Sequence, residues 1–262
     1  MRSLRIHIIL PFVPTKPGGG SRIMYEYANR LHQRGHKVTV IHSIRRPYKK
    51  MKSPLWWKQF NYFIRQVQRP KWFDLDKNIP SLIVPSVTDR YIPDADIVLS
   101  TWWEMAFMTS RLSRGKGKPF NLIQGHEIWA GHEDKVYESY SLPVQHIVIA
   151  KYLQQLVKER SGKEPIHIPL AIDTTIFNLH FPVDKRKNES VLMMYSNEDV
   201  KCSDLGLEAL ILLKEQVPQL EASLFGVGDK PSLPPWIHYH QNPGTLQAYI
   251  TAMPFFSAQV KA

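Results

Sequence analysis

Apolar and polar positions along the chain follow two periods in alternation. Residues 5–10 are a short apolar run closed by Pro11, and residues 37–42, Lys-Val-Thr-Val-Ile-His, are rich in β-branched side chains. Between them Ile23, Tyr27 and Leu31 fall at i, i+4 and i+8, Met24 and Ala28 widen that stripe, and Gly35 stops it. The opening therefore predicts strand, glycine loop, helix, strand: a βαβ unit. Strands are predicted again over 81–84, 97–100, 120–124 and 146–150, with 166–168 extended. Helices are predicted through Trp103, Ala106 and Arg111 and over 151–160. The pattern describes a mostly parallel sheet with helices on both faces. Residues 44–72 interrupt it.

Residues 173–189 have no clear period and include the charged run 184–189, so an interdomain linker is expected there, between a first domain over 1–172 and a second over 190–262. The second alternation has a strand over 191–195 and a helix marked by Leu205, Ala209, Leu212 and Leu213. A strand over 222–225 then ends at Gly226-Val227-Gly228, and another covers 236–239. A helix over 245–253 and a strand beginning at 254–257 complete the expectation. A second domain of that length would close on an apolar Phe255-Phe256 strand without cover, so a C-terminally truncated second domain is expected.

The composition, 43% hydrophobic and 22% charged, suits a globular chain with enough apolar material for a core. The single cysteine, Cys202, excludes a disulfide framework and fits a reducing compartment. No apolar run reaches the length of a membrane span, and the first residues read as a strand rather than a signal peptide. Charge changes the picture more. Residues 1–72 hold 16 Lys and Arg against one acid, Glu26, whereas 73–262 hold 18 against 22 acids. The basic part should face something anionic. Its stretch 44–72 mixes Arg45, Arg46, Lys49 and Lys50 with Trp56 and Trp57, which suits an anionic membrane surface; the bland reading is a solvated connection whose aromatics join the core. No nucleic-acid recognition module is recognisable, so no such partner is expected.

Gly18, Gly19 and Gly20 stand before a helix, where backbone N–H groups and the helix dipole can hold an anion; the same glycines could be only a flexible turn. His126 and Glu127 follow a strand at its C-terminal end, where open α/β sheets bind ligands. Asp94-Ala95-Asp96 has the spacing of a cation-binding pair but precedes a strand, the wrong end of the sheet. The histidines lack metal-ligand spacing, so no metal is expected.

Five segments in order resemble glycosyltransferase family 4, the retaining group 1 enzymes of GT-B fold: KPGGGSRIMYEYANRLHQRGHKVTVIHS, PDADIVLSTWWEMAFMTSRL, FNLIQGHEIWAGHEDKVYESYSLPVQHIVIAKYLQQLV, IPLAIDTTIFN and VLMMYSNEDVKCSDLGLEALILLKEQVPQLEASLFGVG. The resemblance implies an α/β, GT-B-like chain of two Rossmann-like, doubly wound parallel-sheet domains, the second incomplete. It implies transfer of a sugar from a nucleotide-diphosphate donor to a glycan or lipid-linked acceptor, without a metal or other cofactor, in bacterial polysaccharide or envelope assembly at the cytoplasmic face of a membrane. Gly19, Gly20 and Lys201 would meet the donor diphosphate, His126 would be the catalytic contact to the donor sugar, and Gly18, Arg22, Thr101, Glu127 and Gly226 would be further contacts. Two features depart from the family. Lys201 precedes Cys202 where a glycine is usual, and the later pair of glutamates that hold the donor is absent. They leave a rival reading, a non-catalytic remnant whose first domain binds acceptor or membrane.

Overall fold

The structure, a computed structural model, describes residues 2–49, 53–64, 68–175 and 189–242. Lys50, the expected helix over 245–253, the expected strand at 254–257 and most of the expected linker lie outside these residues. The chain divides into two compact units, Met1–Leu170 and Ala171–Ala262.

The first unit holds strands β1 (Arg5–Leu10), β2 (Lys37–Ser43), β3 (Ser81–Val84), β4 (Ile97–Thr101), β5 (Lys118–Ile123), β6 (Gln145–Val148) and β7 (Ile166–His167). Its helices are α1 (Gly19–Gln33), α2 (Leu55–Ile64), α3 (Trp103–Thr109), α4 (Glu133–Tyr140) and α5 (Lys151–Ser161). The strands form one sheet in the order β3-β2-β1-β4-β5-β6-β7, every pairing parallel. Five of the six β1 residues are buried, as a central parallel strand covered on both faces requires. Ile6, Ile8 and Leu10 pack with α1, while Ile9 joins Val98 and Met105 on the opposite face. The strand order reverses between β1 and β4, which makes their C-terminal ends the switch point where such sheets open a crevice.

The buried face of α1 centres on Met24, Tyr25 and Ala28, with Ile23, Tyr27 and Leu31 at its flank. The rotation follows from Tyr25: its ring lies in the core and its hydroxyl meets His42 Nε2 at 2.8 Å, which satisfies the only polar atom of the side chain. Two helices escaped the periodicity reading. In α2, Trp56, Trp57 and Phe60 are exposed. In α4 only Val136, Ser139 and Tyr140 are buried, and its short amphipathic face is mostly polar in sequence.

The second unit has β8 (Ser190–Met194), α6 (Ser203–Gln216), β9 (Glu221–Gly226) and β10 (Ile237–Gln241), the strands parallel in the order β10-β9-β8. Leu210 of α6 packs on Met193, Ala222 and Leu224. Gly206 permits this approach, since a Cβ there would stand 2.5 Å from the Met193 sulfur.

Candidate functional site

At the switch point of the first unit, α1 starts at Gly19 with Gly18 extended before it. The first turn carries no acidic side chain and Gly18 supplies no cap, so nothing in the helix itself offsets the positive end of its dipole. A Cβ on Gly18 or Gly19 would meet nothing within 4 Å. A Cβ on Gly20 would stand 3.3 Å from Gln124 Nε2. That amide is the centre of a clasp. Gln124 Nε2 donates to the Gly20 carbonyl at 3.1 Å and to Thr101 Oγ1 at 3.0 Å, and Thr101 Oγ1 donates to the Leu122 carbonyl at 2.9 Å. The start of α1, the end of β4 and the residue after β5 are thereby tied together. Thr101, expected as a ligand contact, is buried, and its hydroxyl supports Gln124 by accepting from its amide while donating to the Leu122 carbonyl. Gln124 itself was not singled out by sequence reasoning; its place immediately after β5 was the available signal. Arg22, one turn into α1, is half-exposed and 4.0 Å from Glu26.

Beneath the clasp the β4–α3 junction is strained. Trp102 has φ +78°, a left-handed conformation that a bulky side chain rarely takes. Three charged groups surround it. Glu127 Oε2 accepts the Trp103 N–H at 3.0 Å, Arg46 Nε donates to Glu104 Oε2 in a short contact, and the Arg46 guanidinium lies 4.8 Å over the Trp102 ring. Glu104 is buried and the Arg46 side chain nearly so. Arg46 therefore does not belong to a membrane-facing surface: its charge is needed inside to compensate the Glu104 carboxylate. Glu127 likewise turns inward. Burial pushes its carboxyl up to about 7; the Trp103 N–H and Arg46 work against that rise and the nearby Glu104 adds to it.

His126 packs its ring 5.4 Å from that of Tyr137. Its Nε2 is buried without a hydrogen-bond partner among the described residues, and burial lowers its pKa, with Arg160 adding to the fall and Glu133 opposing it. The imidazole is thus neutral near pH 7.

In the second unit β8 leads through a short 3-10 turn, Asp199–Lys201, into α6. Cys202 takes φ +48°, the left-handed conformation in which glycine is the usual residue. The Ser203 hydroxyl accepts the Ser196 N–H at 2.9 Å and fixes the loop, and Lys201 stands exposed before the helix. Gly226, expected as a ligand contact, owes its glycine to packing: a Cβ would lie 2.4 Å from the Tyr195 carbonyl oxygen and 2.8 Å from the Tyr239 hydroxyl.

On α2, Trp56 is 66% and Trp57 45% exposed, and Arg45 and Lys49 are exposed before it. Asp94 and Asp96 are each taken by a neighbouring cation, Lys116 at 2.9 Å and Arg5 at 3.1 Å, at the N-terminal edge of the sheet. Among the described residues no three His, Cys, Asp or Glu side chains group as metal ligands, and no helix is long and apolar enough to cross a membrane.

No family model and no curated protein matches the chain by sequence. Solved structures do resemble it. TarM matches with a TM-score of 0.63 at 9% identity, over 95% of this chain and 79% of that one. Sucrose-phosphate synthase from Thermosynechococcus elongatus matches at 0.56 and 14% identity, over 96% and 74%. The catalytic domain of starch synthase IV from Arabidopsis thaliana, bound to ADP and acarbose, matches at 0.52 and 11%, over 99% and 75%. The two parallel-sheet units thus have the GT-B fold.

Proposed function

We propose that the chain transfers a sugar from a nucleotide-diphosphate donor to a hydroxyl of a glycan or lipid-linked acceptor, with the family 4 membership and retention of configuration that the sequence resemblance implies. The observation that carries this reading is the Gln124 clasp. It fastens the end of β4 and the residue after β5 to the first turn of α1, where Gly19 and the preceding Gly18 face open space. The fold adds support, since it is shared with enzymes such as sucrose-phosphate synthase and a starch synthase bound to ADP.

As a glycosidic bond breaks, negative charge grows on the leaving diphosphate. The N–H groups of Gly19 and Gly20, at the positive end of α1, would stabilise that charge without proton transfer or a metal ion, and the sequence resemblance implies the same role for the Lys201 ammonium. Neutral His126 would hydrogen-bond a donor-sugar hydroxyl rather than act as a strong acid. Exposed Trp56 and Trp57, with Arg45 and Lys49, would hold the first unit at an anionic bilayer, where acceptors for envelope polysaccharide are presented at the cytoplasmic face.

Calorimetric titration of the chain with UDP, GDP and dTDP tests the central claim. One of them binds, and Lys201→Ala weakens it about tenfold or more, the worth of a charged hydrogen bond; binding of none overturns the reading. Sedimentation with phosphatidylglycerol vesicles, lost in Trp56→Ala/Trp57→Ala, tests the surface.

A further inference from the structure

On the β3 side of the switch point the ends of β2 and β3 border a cavity of about 390 Å³. Two walls prolong the sheet. The Ile44 N–H donates to the Val84 carbonyl at 3.0 Å and the Arg45 N–H to that of Pro85 at 3.1 Å, and Ser43 Oγ holds the Arg45 carbonyl at 2.8 Å. The third wall is the end of α3 and the turn after it, with Met108, Arg111 and Leu112. Val87, Met108 and Leu112 belong to one apolar cluster, so part of the lining is greasy.

The charges divide into those already matched and those left over. Arg46 is matched by Glu104. Asp89, the one acid in the lining, accepts the Ser113 N–H at 3.0 Å, a bond that favours its ionised form without cancelling its charge, so it offsets one of the remaining arginines. Arg45 and Arg111 remain, both exposed at the residue level and neither ion-paired among the described residues. Local sequence supplies no carboxylate on the β2 side, since no acid occurs between Glu26 and Asp74. A cavity lined by Arg45 and Arg111, whose charge exceeds that of Asp89 by one, beside an apolar wall fits an anion attached to a less polar body.

We propose that this cavity binds a phosphoryl-bearing amphiphile, its phosphoryl group on Arg45 and Arg111 and its less polar part against Val87, Met108 and Leu112. The proposal rests on the sugar-transfer reading only in making that molecule the acceptor. The guanidinium forks suit the oxygens of a phosphoryl group, and the wall rewards an attached chain or ring that a free phosphate lacks.

Calorimetry of the full chain with n-hexyl phosphate, and with n-hexyl β-D-glucoside as the uncharged comparator, is the direct test. Arg45→Gln/Arg111→Gln is compared with Arg34→Gln/Lys37→Gln, which removes equal charge at the opposite end of the sheet. Hexyl phosphate binding weakens about tenfold in the first variant and is kept in the second. Equal binding of the two amphiphiles, equal loss in both variants, or no binding overturns the proposal. Sedimentation with phosphatidylcholine vesicles carrying phosphatidic acid separates two sources of the same chemistry. In the vesicle assay Arg111→Gln alone is used, since Arg45 also belongs to the proposed bilayer-facing surface: its loss of binding points to a lipid phosphomonoester, and unchanged vesicle binding alongside the specific loss of hexyl phosphate points to a soluble one. Nucleotide titrations on the same samples keep the two proposals apart. Hexyl phosphate binding without any nucleotide binding leaves the cavity standing and removes the sugar-transfer reading; nucleotide binding without hexyl phosphate binding does the reverse.

Discussion

Gln124 Nε2 lies 3.1 Å from the carbonyl oxygen of Gly20, a residue 104 positions earlier in the chain. That contact turns a glycine run into a formed loop. The amide fills the space beside Gly20 and leaves Gly18 and Gly19 facing outward, so the two kinds of glycine answer to different demands. Gly20 accommodates the protein; Gly19 leaves room for whatever approaches the helix end.

Gly19→Ala separates folding from binding. Its new methyl group meets no atom within 4 Å, and alanine in a helix is better than glycine by up to about 1 kcal/mol. Thermal unfolding should therefore show equal or greater stability. Nucleotide affinity should fall about tenfold or more, because the methyl group stands where a phosphate must approach the backbone. A parallel fall in stability and affinity would instead make Gly19 a folding residue.

Glu127→Gln should stabilise the fold increasingly as pH rises from about 4.5 to about 7, and by a constant amount above that. The carboxyl is raised from 4.5 to about 7, so the folded state binds its proton more tightly than the unfolded chain between those values. Stability from this group is present below about 4.5 and lost as pH rises through about 7. Glutamine keeps an acceptor for the Trp103 N–H and carries no charge. The expected gain is roughly 2–3 kcal/mol at pH 8 and close to nothing at pH 4, read from urea unfolding.

What could be read from sequence was the repeating part of this arrangement. The βαβ opening followed from the stripe through Ile23, Tyr27 and Leu31, and the glycine loop from its position before that stripe. The clasp and the charged cluster were out of reach because no local spacing links Gly20 to Gln124 or Arg46 to Glu104; parallel strand order brings them together. Arg46 read as a surface cation because its neighbours are cations, and the carboxylate that turns it inward lies 58 residues away. The resemblance implied a ligand contact at Gly226, whereas the packing demand on it comes from the Tyr195 carbonyl, which the linear sequence does not show.

Three histidines should make the fold acid-sensitive. His7, His42 and His146 are 4%, 1% and 3% exposed, and burial is the main force lowering each pKa from 6.5 to about 4. Here the unfolded chain binds the proton more tightly, so the stability contribution is complete above about 6.5 and lost as pH falls toward 4. Each loss is roughly 3 kcal/mol at most, and together they outweigh the opposite trend of Glu127. Urea unfolding at pH 7, 5.5 and 4.5 should show a steep decline. Resonances assigned to His7, His42 and His146 that titrate near 6.5 in the folded chain would refute the assignment.

Cys202 carries a conformational cost that glycine would remove. Its φ of +48° opens α6 immediately after Lys201, and the left-handed region costs an L-residue about 1–2 kcal/mol. Glycine avoids that cost but loses more chain entropy on folding, by roughly 0.5–1 kcal/mol. Cys202→Gly should therefore leave the second unit as stable as before or more stable by up to about 1 kcal/mol, whereas Cys202→Val, branched at Cβ and barely tolerant of this φ, should destabilise it. Because the turn sets the direction in which Lys201 leaves the helix start, the glycine variant should bind nucleotide at least as well as the parent and the valine variant less well. Thermal unfolding and nucleotide titration on the same samples check both halves, and equal behaviour of the two variants would show that the turn is not held in the left-handed conformation.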